Sequence, residues 1–279
     1  MCDSHPTQRP TRRTVIAGAA TLAAIALASS TRSAAAAALG SPTPGDDPVA
    51  PPAPDLATAP ITVATGLDIH PRDDWGADLP PKHPMGPEDV RFLLVHHTAS
   101  TNVVPDPRAV IRQTYAFQTG PDKGWPDVCY HFFVGPDGSV WEGRAGSLAG
   151  PVVADATGGN QGFAQLVCLI GNFVDQPPTL AAQDSLARLL LFLADRYRID
   201  SDPNATVTFT SRGSNKYRAG AEITTSTISG HRDTSATACP GDQAYVLLPA
   251  WRARVNATRL HRTRPGPYAT ATRRDYHLD

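Results

Sequence analysis

Apolar residues between positions 61 and 255 fall into two kinds of run, one short and unbroken, the other spaced at intervals of three and four. FLLVHHTA (92–99) and AQLVCLIGNF (164–173) are of the first kind, the pattern of strands buried on both faces. CYHFFVGPDGSVWEG (129–143) sets two strand-like runs around Pro-Asp-Gly and predicts a hairpin. PDPRAVIRQTYAFQT (105–119) predicts a helix, with Asp106 as N-cap, Pro107 at the first helical position, and Val110, Ile111, Tyr115 and Phe117 near helical spacing. TLAAQDSLARLLLFLADRYR (179–198) is the clearest helix: Thr179 caps it, and Leu186, Leu189, Leu190, Leu193 and Tyr197 recur at three and four. Strands alternating with helices predict an α/β fold, a single domain with a central mixed β-sheet flanked by helices.

Both ends of the chain break this pattern. Residues 1–38 carry Arg12 and Arg13, then an uncharged, alanine-rich run, then small residues offering Ala-x-Ala sites. That order reads as a twin-arginine export signal and predicts a bacterial protein that is secreted or cell-wall associated. With the signal removed, no stable membrane span is expected. Residues 39–65 are rich in Pro and Ala and read as a linker unable to build a core. The folded domain is expected over 66–256, followed by an arginine-rich tail over 257–279.

Charge narrows the partners. Removing the four arginines and one aspartate of residues 1–38 from the 25 basic and 26 acidic residues leaves 21 and 25, a net charge of −4. Nucleic acid is therefore not an expected partner. Cysteine adds a second constraint. Of four, Cys2 leaves with the signal, and Cys129, Cys168 and Cys239 remain, so at least one thiol in an exported chain does something other than pair.

His231 and Cys239, eight positions apart in SGHRDTSATACPG, are where an unpaired thiol has chemistry to do. They can be a Cys-His nucleophilic pair, two structural residues, or two ligands of one metal. Zinc takes His nitrogen and Cys sulfur, and a catalytic zinc keeps three protein ligands and one open position. A third ligand is then needed. His96 and His97, at the end of an apolar strand, are the available suppliers.

Trp75-Gly76-Ala77, VHHTAS (95–100), GWPDVCYHFFVGPDGSVWEGR (124–144), CLIGNF (168–173) and GHRDTSATACPG (230–241), in this order, resemble the peptidoglycan recognition protein family and its zinc amidases. The resemblance covers about residues 68–255. It implies an N-acetylmuramoyl-L-alanine amidase, cutting the amide between N-acetylmuramic acid and L-alanine in peptidoglycan, with Zn2+ as cofactor and the muramyl peptide as partner. The ligands it implies are His96, His231 and Cys239; the catalytic residues are Tyr130 and Thr237. Zinc with one open position lowers the pKa of a bound water, and the two hydroxyls are donors for the oxyanion that follows. His97 and His131 are alternative proton acceptors or substrate contacts, and Trp125, Arg144 and Asn160 match positions near the substrate groove. Cys129 and Cys168 are then the remaining pair, expected as a disulfide. The chain departs from the family in having Cys129 before Tyr130, no histidine in residues 145–163, and an apparent inserted hairpin over 204–227 as a candidate cleft wall. A monomer is expected. Two other classes stay open: a recognition domain that binds peptidoglycan without cutting it, and a thiol hydrolase using Cys239, which chelators would leave active.

Overall fold

Six residues, Phe-Leu-Leu-Val-His-His, form the strand around which the sheet is organised. The computed structural model describes residues 59–64, 66–155 and 162–263, which belong to one compact unit. In chain order these hold a hairpin of β1 (Ile61–Ala64) and β2 (Leu67–Ile69), the one-turn α1 (Asp73–Gly76), β3 (Phe92–His97), α2 (Pro107–Thr119), β4 (Phe132–Val134) and β5 (Val140–Glu142). There follow β6 (Ala164–Leu169), α3 (Leu180–Arg196), a hairpin of β7 (Thr206–Thr210) and β8 (Glu222–Ser226), β9 (Ile228–Gly230), the short α4 (His231–Thr234) and α5 (Asp242–Tyr245), and α6 (Leu248–Thr263). Five strands pair in the order β5-β4-β6-β3-β9. β4, β6, β3 and β9 run parallel and β5 is antiparallel to β4, giving the mixed sheet that the pattern predicts.

All six residues of β3 are buried because both faces of the sheet are covered. Side chains alternate along it. Leu93 and Val95 face the α3 and α6 side, where Leu186, Leu189, Leu190 and Leu193 are fully buried with Trp251 and Val255. Each such leucine contributes about 1.5–3 kcal/mol. Phe92 and Leu94 face the opposite side and pack with Leu166 and with Phe209 and Ile223 of the second hairpin. His96 continues that second row. The two long helices start where capping side chains predict: Asp106 accepts from the Arg108 N–H at 3.0 Å, and Thr179 Oγ1 from the Ala182 N–H at 3.1 Å.

Three expectations are corrected. The strand Ile61–Ala64 falls inside the expected linker, where it pairs with β2. The expected tail begins as helix: α6 continues to Thr263 because Arg259 reaches back to the Ile199 carbonyl at 2.8 Å and to Asp195 at 3.1 Å. The expected disulfide is not formed, since Cys129 and Cys168 are both free and buried. Cys168 sits in β6 opposite Phe133 on one side and His96 on the other. Cys129 precedes β4 and is held against α2, its N–H donating to Gln118 Oε1 at 2.8 Å and its sulfur accepting from Gln118 Nε2 at 3.2 Å. The signal, most of the linker and residues 264–279 lie outside the described residues, among which no helix is long and apolar enough to cross a membrane.

Candidate metal centre

The end of β3 and the segment after β9 meet because the two strands are parallel neighbours. Gly230 lies beside Val95, so the next residue, His231, emerges next to His96, with ring centroids 4.3 Å apart. A side chain at position 230 would not fit: a Cβ there meets Tyr245 at 2.9 Å and Pro240 at 3.0 Å. The chain then makes the single turn of α4 and folds back, its return fixed by the Arg232 N–H donating to the Cys239 carbonyl at 3.0 Å. Asp233 pins the turn, accepting from the Gly230 N–H at 2.9 Å and from the Tyr245 hydroxyl at 2.6 Å. Gly241 permits the exit, with φ +93° and the Phe173 backbone 2.3 Å from where a Cβ would stand. The eight-residue spacing of His231 and Cys239 is thus the length of one turn and its return.

One ligand atom from each of His96, His231 and Cys239 lies within 4.8 Å of the others. Cys239 Sγ is 3.7 Å from His96 Nδ1, against about 3.6 Å for a nitrogen and a sulfur on one tetrahedral zinc. His96 is 1 % exposed and its Nε2 has no hydrogen-bond partner, so apart from the sulfur contact this buried imidazole is unsatisfied. Burial, then His231, holds the His96 pKa well below the ordinary value, and burial holds His231 at about 4, so both rings are neutral donors. Burial pushes the Cys239 thiol up to about 12, opposed by the N–H of His97, which donates to its sulfur at 3.3 Å. A bare Cys239 therefore keeps its proton at neutral pH, unlike a nucleophilic thiol, whereas a dication coordinated there reverses the preference. Two neutral imidazoles and one sulfur, converging on one point with the His96 Nε2 left without a partner, fit zinc.

Tyr130 adjoins the set, its ring centroid 5.2 Å from that of His96. Burial first, then Cys129 and Cys168, raise its hydroxyl pKa well above 10, so it stays a proton donor. Thr237 is exposed on the return of the loop, its Oγ1 accepting from the Cys239 N–H at 3.2 Å, which leaves the hydroxyl hydrogen free to donate outward. A cleft of about 240 Å³ opens beside Tyr130, between Thr98 and Ser100 after β3 and Val110, Gln113 and Phe117 of α2.

Other expected contacts stand apart. His131 is fully buried, its Nδ1 accepting from the Leu166 N–H and its Nε2 donating to the Val152 carbonyl, both at 2.7 Å, so it faces neither cleft nor ligands. Arg144 is 1 % exposed, its Nη1 donating to the Val128 carbonyl and its Nη2 to Asp155, both at 2.9 Å, so it braces the segment after β5. His97 points to the other face of β3, where its Nδ1 accepts from the Phe173 N–H at 3.4 Å, and burial keeps it neutral with a pKa of about 4. Trp125 is half-buried past the end of α2, joined to Phe117 by Lys123, whose ammonium lies 5.4 and 5.8 Å from the two rings. Asn160 lies outside the described residues. Sequence reasoning missed Asp233 and Tyr245; the one available signal was an Asp three residues after Gly230, at the capping position of a helix start.

A model of the N-acetylmuramoyl-L-alanine amidase family, Amidase_2, matches residues 86–242, which contain all three converging ligands. The chain belongs to the Amidase_2 family. A pig N-acetylmuramoyl-L-alanine amidase is 32% identical over 196 residues, 66% of this Amidase_2 chain and 27% of the pig protein, so the chain spans little more than a quarter of that relative. Mouse peptidoglycan recognition protein 1 is 30% identical over 191 residues, 66% of the chain and 87% of the relative. Among solved structures, Drosophila peptidoglycan recognition protein SD superposes with a TM-score of 0.51 at 23% identity, covering 66% of this chain and 95% of that one. Wild-type Drosophila PGRP-LB gives 0.50 at 23%, covering 66% and 93%. Both share this Amidase_2 fold. The curated relatives named are animal proteins and do not bear on the bacterial source that the twin arginines suggest.

Proposed function

We propose that the chain is an exported, zinc-dependent N-acetylmuramoyl-L-alanine amidase that hydrolyses the amide between N-acetylmuramic acid and L-alanine of peptidoglycan. The observation that carries this reading is the convergence of His96, His231 and Cys239 beside the Tyr130 ring. Zinc in that set supplies Lewis acidity toward an amide carbonyl. The chain's own groups do the rest. Tyr130, kept protonated, donates to the carbonyl oxygen as it gains charge, and Thr237, exposed on the ligand loop, is a second donor; one such donor is worth about 3–4 kcal/mol. The hydroxyls and amides of Thr98, Ser100 and Gln113 along the cleft suit a substrate made of sugar hydroxyls and peptide amides. The names of its relatives, amidases and recognition proteins for peptidoglycan, support the substrate class.

The test is release of new L-alanine amino termini from purified peptidoglycan, before and after chelation and with zinc restored. Loss on chelation and recovery with zinc is the expected result. Binding to the polymer with no release under any metal condition would make the chain a recognition module. Export by the twin-arginine route is tested separately: replacing Arg12 and Arg13 by lysine should leave the chain inside the cell.

A further inference from the structure

Asp233 and Arg232 hold the first turn of the loop between His231 and Cys239, but the stretch that follows has little of its own to hold it. Ser235, Ala236, Thr237 and Ala238 have small side chains, and the last three are exposed, so no apolar anchor ties this stretch to the core. Each residue left free adds a backbone-entropy cost whenever a ligand set must form from it. Yet two metal ligands and a candidate catalytic hydroxyl depend on its backbone.

Support comes from the turn joining β7 to β8. Asn215 pairs with Ala236 at both ends of its amide, donating from Nδ2 to the Ala236 carbonyl at 3.0 Å and accepting from the Ala236 N–H at Oδ1 at 2.9 Å. On one side of it, Ser214 Oγ donates to the Thr234 carbonyl at 3.0 Å. On the other, the Lys216 ammonium donates to the carbonyls of Arg232 at 2.7 Å and Asp233 at 3.2 Å. Three consecutive residues thus engage four backbone positions between the two ligands. The hairpin is itself seated on the strand that carries the third ligand: Phe209 stacks on Phe92 with centroids 5.4 Å apart, and Phe209 and Ile223 pack with Phe92 and Leu94, the row that His96 continues.

We infer that the β7–β8 hairpin is a positioning device for the metal centre, with Asn215 and Lys216 as its positioning residues. It rests on β3 and grips the 231–239 loop, so it fixes the distance between His96 and the other two ligands. Its residues are not among the converging ligands; they act through the loop backbone, and Asn215 also sets Thr237, the neighbour of Ala236. This inference rests on the proposed zinc reading.

The test is zinc affinity of the full chain, measured by competition with a chromophoric chelator, alongside kcat, KM and melting temperatures with and without zinc. Asn215→Ala should weaken zinc binding about tenfold or more, the scale seen when groups that orient metal ligands are removed, and should lower kcat with KM unchanged. Asn215→Asp keeps the acceptor for the Ala236 N–H and should recover part of the loss. Lys216→Met should move zinc affinity in the same direction as Asn215→Ala. Thr208→Ala, on the exposed face of the same hairpin, should change neither quantity. Native zinc affinity in Asn215→Ala would overturn the inference, and so would parallel falls in melting temperature with and without zinc at constant affinity, which describe a simple brace. An unaltered chain that binds no zinc takes down the metal reading itself, a distinct outcome.

Discussion

Tyr130 and Cys239 sit within reach of the same imidazole but answer to different experiments. Tyr130→Phe removes a donor without touching a ligand, so zinc content should stay native while kcat falls by about 10² to 10³. Cys239→Ser should abolish both, read as metal content by atomic emission. A second residue has a pH consequence of its own. Glu88 is buried under the segment after β5, with His131 at 3.6 Å and Gln165 donating to it at 2.7 Å, and with Arg144, Asp89 and Tyr197 the other charged or titratable groups around it. Burial above all raises its pKa from 4.5 to about 8, against the opposing effect of Gln165 and Arg144. The folded chain therefore holds a proton that the unfolded chain has released. Its contribution is full below pH 4.5 and is lost as pH rises to about 8, on the order of 5 kcal/mol in all. Urea unfolding of Glu88→Gln should show a flatter dependence than the parent between pH 5 and 8, and equal slopes would refute this account.

At the scale of elements, α6 offers a clean cut. A chain ending at Thr263 should melt with the full-length protein, whereas one ending at Asn256 loses the Arg259 contacts to Ile199 and Asp195 and should melt several degrees lower by calorimetry. The same helix shows which elements were legible. Its apolar residues, Leu248, Trp251 and Val255, recur at helical spacing, but beyond Val255 charge pairing with α3 holds it, and pairing partners 64 residues away leave no period to read. β3, β6, α2 and α3 were legible because burial on one or both faces writes itself into adjacent residues. β1 was not, being four partly exposed residues next to a proline-rich stretch. His96, His231 and Cys239 were found through motifs, while the fates of His131 and Arg144 depend on main-chain groups of other segments. A cysteine count cannot report direction, which is why Cys129, turned toward Gln118, has no bridge to Cys168.

For the whole molecule, zinc and folding are linked. Zinc at 100 times its Kd should stabilise the chain by about 2.7 kcal/mol, a rise of roughly 5–10 °C in Tm for a domain of this size. Chelation should remove that rise without unfolding the protein at 25 °C, because the hydrophobic clusters on both faces of the sheet include none of the three metal ligands. The ligands are also dispersed along the polypeptide: 143 positions separate His96 from Cys239. Synthesis runs from one to the other, so from position 96 until position 231 a growing chain has one ligand of the three, and it completes the set only once residue 239 has emerged. Metal capture then closes the folding reaction instead of starting it. Zinc should leave the refolding rate unchanged and slow unfolding alone, and any chain interrupted before position 239 is born without a claim on the ion.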